Sequence, residues 1–138
     1  MKTIILSVIS SLAFCITNAQ QAKAPAPVVS AFAKLYPGVK PKWEKENGDY
    51  EANYKKSGKE MSATFAADGT LKETETGIPV SELPASVKTY VAAHYKNATI
   101  KEAAKITKAD GTVNFEAEVN KRDVIFDKEG NFIKEEKD

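Results

Sequence analysis

The chain has 138 residues, 42% of them hydrophobic and 28% charged, a balance that suits one ordinary globular domain with a real core and excludes disorder through its body. Twenty Lys and Arg stand against 19 Asp and Glu, so nothing draws the chain generally to nucleic acid or anionic lipid, which select clustered basic residues. One cysteine and one histidine exclude an internal disulfide framework and a zinc site built on the usual Cys and His ligands.

The first segment has the form of a secretory signal peptide: Lys2, an apolar run from Thr3 to Ile16, then Thr17-Asn18-Ala19. Residues 1–19 are expected to be removed, leaving Gln20 as the first residue and 19 basic against 19 acidic groups. The apolar run is too short to span a bilayer of about 30 Å as a mature helix, and no later stretch is apolar enough, so no stable membrane insertion is expected after removal. Cys15 follows the bulky Phe14, where a lipoprotein signal places a small residue. A soluble periplasmic or secreted protein without a thiol is the expectation. Residues 20–26 form an Ala/Pro linker.

Beyond the linker the pattern predicts two repeats, 27–80 and 81–138. In the first, Val28, Phe32 and Leu35 share a helical spacing from Pro27 to Tyr36, with Pro27 in the first turn and Pro37-Gly38 as the stop. Strands follow over Val39 to Glu46, Asp49 to Lys55, Lys59 to Ala66 and Thr70 to Glu75. Alternation turns Tyr50, Ala52 and Tyr54 inward and Glu51 and Asn53 outward. Gly77 and Pro79, between Glu75 and Ser81, are expected to break any strand.

The second repeat opens on a helix from Leu83 to Tyr95, with Val87, Val91 and Tyr95 on one face and Ser81 as its candidate cap. Strands are predicted over Thr99 to Lys108, Thr112 to Asn120, Asp123 to Asp127 and Asn131 to Glu136. Phe115, Ala117 and Val119 repeat the inward set, and the Ala in the middle of each leaves a trough for a helix. Ala67-Asp68-Gly69 and Lys128-Glu129-Gly130 read as three-residue loops with Gly third, where a positive φ is needed; they pair Phe65 with Leu71 and Phe126 with Phe132. The two copies differ in length by even numbers of residues, which keeps every apolar face inward because side chains alternate with period two. The expected fold is therefore α+β, a tandem repeat of a helix plus a four-stranded antiparallel sheet, with the helices on one face.

The succession of a helix, Tyr36-Pro37-Gly38, a strand with Trp43, Tyr50-Glu51-Ala52 and the hairpin Phe65-Ala66-Ala67-Asp68-Gly69-Thr70-Leu71, in tandem behind a signal peptide, resembles the PepSY-like, beta-lactamase-inhibitor-like domains of Bacteroidetes envelope proteins. The resemblance covers Pro27 to Lys137. It implies one extended antiparallel sheet in a periplasmic or external protein that binds rather than catalyses. The second copy departs from the pattern, with Ile106 in place of Trp43 and Tyr95-Lys96-Asn97 in place of Tyr36-Pro37-Gly38.

Few residues carry chemistry. His94 takes the place of Leu35 in the second copy and reads as a helix residue at the edge of the core rather than an acid/base, since no motif sets a Ser or Asp beside it. Glu116 and Glu118 share the outward face of their strand, with Glu51 equivalent in the other copy; such a row could hold a hard cation, but polar residues on the solvated face of a sheet are the ordinary pattern. Trp43, with Tyr50 and Tyr54, could form a platform for a sugar or peptide, although Tyr50 and Tyr54 have inward counterparts. With Phe126 and Phe132 inward, Ile125 and Ile133 are expected outward as a cross-strand apolar pair, either covered by the chain or kept for a partner.

No catalytic residue, metal or cofactor is expected. The reading is a non-catalytic binding module, protein-binding or inhibitory, working through the open sheet face, with Ile125, Ile133, Trp43, Glu51, Glu116 and Glu118 as candidate contacts. A protein partner in the envelope and weak self-association as a homodimer are the expected interactions. The alternative is a small-ligand binder for a glycan or cation. A flat surface with an exposed apolar patch marks the first, and a pocket with converging polar groups the second.

Overall fold

The computed structural model describes residues 22–137; the expected signal peptide, its expected cleavage point and Cys15 lie outside the described residues. Helix α1 (Ala26–Leu35) precedes strands β1 (Lys42–Glu46), β2 (Asp49–Lys56), β3 (Lys59–Phe65) and β4 (Leu71–Ile78). A 3₁₀ turn (Val80–Glu82) leads to α2 (Ala85–His94) and to β5 (Ile100–Lys108), β6 (Val113–Val119), β7 (Arg122–Asp127) and β8 (Phe132–Lys137). Among the described residues the architecture is α+β: two helices and one antiparallel sheet with its eight strands in chain order. The chain divides into two compact units, the second beginning at Glu75.

In the first unit the register sets Ala52 beside Ala63 and beside Trp43, and α1 lays Val28 and Phe32 on this floor, where all are buried. Small residues under a helix let its large side chains reach the sheet without overpacking. Phe32 meets Trp43, Tyr54 and Phe65 edge to face, at centroid distances of 5.5, 5.2 and 6.3 Å, the arrangement that ring quadrupoles favour. Leu35 does not join this core. It is 48% exposed, because the helix ends there and Tyr36, whose N–H bonds to the Phe32 carbonyl, turns onto Phe32 and Tyr54 instead.

Gly77 does not break its strand. β4 runs through it and stops before Pro79, which has no N–H for a ladder. Ser81 does not cap α2 either: it lies in the 3₁₀ turn, and the N-cap is Pro84, with no side-chain hydrogen bond. Val87 and Val91 of α2 pack on Ala103, Ala117, Val119, Val124 and Phe126, with Ala103 opposite Ala117 and Ala117 opposite Val124.

Each unit ties a hairpin tip to the start of its helix. Gly69 and Gly130 have φ of +91° and +84°. A Cβ at Gly69 would lie 2.7 Å from the Pro27 carbonyl oxygen, and one at Gly130 only 1.9 Å from Ser86 Oγ, which donates to the Glu129 carbonyl at 2.8 Å. Glycine is required at both, for conformation and for close approach.

The face of the second unit opposite α2 is not the solvated surface that alternation suggested. Ala104, Glu116 and Ile125 stand in one row across β5, β6 and β7, and all three are buried, as are Ile106, Asn114 and Asp123. The β7–β8 ladder is irregular as well. Phe126 pairs with Phe132, but Ile125 pairs with Lys134, so Ile133 is the extra residue of a β-bulge, the device by which one strand carries two residues against one.

Candidate functional site

The densest gathering of functional side chains lies in the second unit, where α2 ends. Tyr90 and His94, one turn apart, are stacked with ring centroids 3.9 Å apart and planes within 13°, and the His94 Nδ1–H donates to the Tyr90 carbonyl at 2.9 Å. Tyr90 also lies parallel to Phe132 of β8, at 5.0 Å and 7°, and meets Phe126 edge to face at 5.4 Å.

The polar half of the site comes from the strands. Asn120 and Lys121 both adopt positive φ, 54° and 59°, as a two-residue hairpin turn requires, and this turn delivers Arg122 to the start of β7. Arg122 donates to one oxygen of Glu135, and the Tyr95 hydroxyl donates to the other. Partial burial, then the bond to Glu135, pushes the Tyr95 phenol up to about 12. The Tyr95 hydroxyl, with Arg122 second, holds Glu135 below the usual carboxylate range. Lys96 and Asn120 complete the lining of an open pocket of about 640 Å³. At its side β8 exposes two large apolar residues in succession, Phe132 at 42% and Ile133 at 47%.

Most of the residues singled out from the sequence lie elsewhere. Trp43 is 9% exposed and belongs to the first unit's core, since its pairing with Ala52 turns it toward Phe32; it offers no platform. Tyr54 is buried and Tyr50 packs against the same core. Glu51 and Glu116 are buried rather than solvated, Glu116 in the row between Ala104 and Ile125, and Glu118 is half-buried opposite Asp123. Ile125, 2% exposed, presents nothing to a partner: the bulge removes Ile133 from its side and sets Lys134 there. Only Ile133 remains on the surface as expected. His94 is exposed and stacked on Tyr90, not tucked at the core edge.

Sequence reading missed Tyr90, Arg122, Phe132 and Glu135 as a group. One signal was legible: Arg122 is the single arginine among twenty basic residues, and its planar fork suits a fixed carboxylate contact in a way that lysine does not. Among the described residues no group of three His, Cys, Asp or Glu side chains is arranged to hold a metal ion, and no helix is long and apolar enough to cross a membrane.

The family model described as "Putative beta-lactamase-inhibitor-like, PepSY-like" matches residues 48–134. The chain belongs to this family. Similar solved structures include a putative periplasmic protein of Bacteroides eggerthii, 19% identical with a TM-score of 0.72, over 83% of this chain and 89% of that one. A DUF2874 family protein of Bacteroides ovatus is 20% identical, with a TM-score of 0.69 over 83% and 87% of the two chains. A BLIP-like protein of Bacteroides fragilis is 24% identical, with a TM-score of 0.63 over the same shares. At these identities the likeness is one of fold. A comparison with curated proteins found no match.

Proposed function

We propose that the protein is a non-catalytic binding module of the periplasm that engages a protein partner through the exposed side of its second unit. The observation that carries this reading is the adjacent pair Phe132 and Ile133, both large, apolar and more than two-fifths exposed. Exposed apolar residues that adjoin one another are better candidates for an interaction surface than those that stand singly, as Val29 and Leu35 do in the first unit. Tyr90 and His94 extend the patch with ring surface, and aromatic residues with an Arg at hand are the types that carry binding energy in interfaces. The family's inhibitor-like description and the periplasmic description of the Bacteroides eggerthii neighbour favour binding in that compartment, as does the signal-like segment 1–19. The surface replaces the sheet face first expected, whose candidates Ile125, Glu51 and Glu116 are buried.

Each unit runs as one helix followed by strands, with a glycine hairpin tip on the helix start, and we read the two as copies of one repeat whose second member has taken on the binding surface. Protein immobilised as bait in an envelope extract of the producing cell tests the reading. The wild type should retain a partner in defined ratio, and Ile133→Asp should lose it. Retention by both, or by neither, contradicts the proposal.

A further inference from the structure

We propose that the pocket at the C-terminal end of α2 is a binding site for a small organic carboxylate with polar groups beside its acid function, adjoining the apolar contact surface above and sharing Tyr90 and His94 with it. α1 and α2 end alike: Tyr36 N–H bonds to the Phe32 carbonyl and Tyr95 N–H to the Val91 carbonyl, both at 2.9 Å, and then Val39 N–H to Tyr36 and Ala98 N–H to Tyr95, both at 3.2 Å. The same backbone carries Leu35 and Pro37 in one unit and His94 and Lys96 in the other. Holding the helix end therefore does not demand the polar set. A cation near a helix C-terminus complements its dipole, which accounts for Lys96. It does not account for Asn120 and Arg122, which the β6–β7 turn brings to the same pocket.

The charges select the ligand. Glu135 is engaged by Arg122 and Tyr95 together, so its carboxylate fixes the guanidinium through one nitrogen while the other donors of the fork stay available; the Arg122 side chain is 47% exposed. Lys96 is in no ion pair among the described residues. Of the side chains lining the pocket, Lys96 and Arg122 are cationic and Glu135 anionic, an excess of one positive charge that the negative end of α2 reduces but does not reverse, and this matches a monoanion better than a dianion. A phosphate dianion would set its second charge against Glu135. An arginine fork beside an ammonium group is suited to a planar carboxylate, through charge-assisted hydrogen bonds. The Asn120 amide supplies donors and an acceptor for hydroxyl or amide groups next to the acid.

His94 is the chain's only histidine, so its ring protons give one unambiguous reporter inside the pocket. The full chain without residues 1–19 is titrated at about pH 8, where inorganic phosphate is mainly the dianion, with D-glucuronate, N-acetyl-L-alanine, D-glucose and inorganic phosphate while the His94 resonances are followed by NMR. A saturable shift with at least one of the two carboxylates is expected, and none with glucose or phosphate at the same concentrations. Which carboxylate binds distinguishes a sugar acid from a peptide end. Lys96→Gln and Arg122→Gln should each weaken binding by about ten-fold. If Arg122→Gln loses its fold with its Glu135 contact, Lys96→Gln alone decides. Ile133→Ser, which adds no charge, should leave the titration unchanged, so that failure of this site and failure of the protein-binding surface are distinguishable. No shift with either carboxylate, equal shifts with glucose or phosphate, or full affinity in Lys96→Gln would overturn the assignment.

Discussion

The Tyr90 ring lies parallel to the Phe132 ring, 5.0 Å between centroids and 7° between planes, so a helix residue holds in place an edge-strand residue that is 42% exposed. A large apolar group kept at the surface by a fixed neighbour is pre-organised for contact, because little rotamer freedom is left to lose on binding. Truncating the support should therefore be costly. Tyr90→Ala removes ring contacts to His94, Phe126 and Phe132 and is expected to lower stability by about 2 to 4 kcal/mol in urea unfolding. Val29→Ala, at an exposed position of α1, should change it by less than about 0.5 kcal/mol.

The bulge makes two isoleucines of β7 and β8 behave differently. Ile125 is buried between Glu116 and Lys134, and Ile125→Ser leaves a cavity and a buried hydroxyl, costing about 3 kcal/mol. Ile133→Ser, at the exposed bulge residue, should cost less than about 0.5 kcal/mol. Equal urea midpoints for the two variants would contradict the register of the last hairpin.

Much of the fold could be read from the chain, for reasons these residues illustrate. Ala52 and Ala117 were legible as helix floors because period-two alternation fixes the face of every residue once one is assigned. Alternation could not show Ile133's position: the extra residue of a bulge breaks the period, and nothing in Phe132-Ile133-Lys134 announces it. Nor could it show that the face opposite α2 is buried, since alternation assigns sides of a sheet and says nothing of what covers them. Tyr36 displacing Leu35 from the core is a helix-end effect, where the 3.6-residue spacing stops applying. The pocket was illegible because its members, from Tyr90 to Glu135, are joined by hairpin geometry and not by spacing along the chain.

The glycines of the two hairpin tips give a graded test. Gly69→Ala would force a Cβ against the Pro27 backbone, while at Gly130 the obstacle is chiefly the Ser86 side chain, which can rotate away. Both pay the cost of a positive φ, about 1 kcal/mol. Gly69→Ala should be the more destabilising in thermal unfolding. The pair Gly130→Ala with Ser86→Ala should recover part of the Gly130→Ala loss, and no recovery would contradict the contact.

The link between Tyr95 and Glu135 predicts pH dependence at both ends of the scale. The Tyr95 phenol titrates near 12 when folded, above the ordinary value of about 10, so its contribution to stability is whole below pH 10 and is lost as pH rises toward 12. Glu135 is held below the usual carboxylate range, so its contribution is present above that range and lost on acidification. Tyr95→Phe should flatten the alkaline decline in the urea midpoint and also reduce the acid-side loss. An alkaline profile identical to wild type would show that Tyr95 is not so held.

The central claim is that the side of the second unit marked by Phe132 and Ile133 meets a protein partner. Site-specific photo-crosslinking in the producing cell tests it most directly, with p-benzoylphenylalanine at Ile133 and, as references, at the exposed Val29 and Leu35 of α1. The account predicts one discrete crosslinked species from position 133 and none from positions 29 and 35. Discrete adducts from α1 with none from position 133 would contradict it.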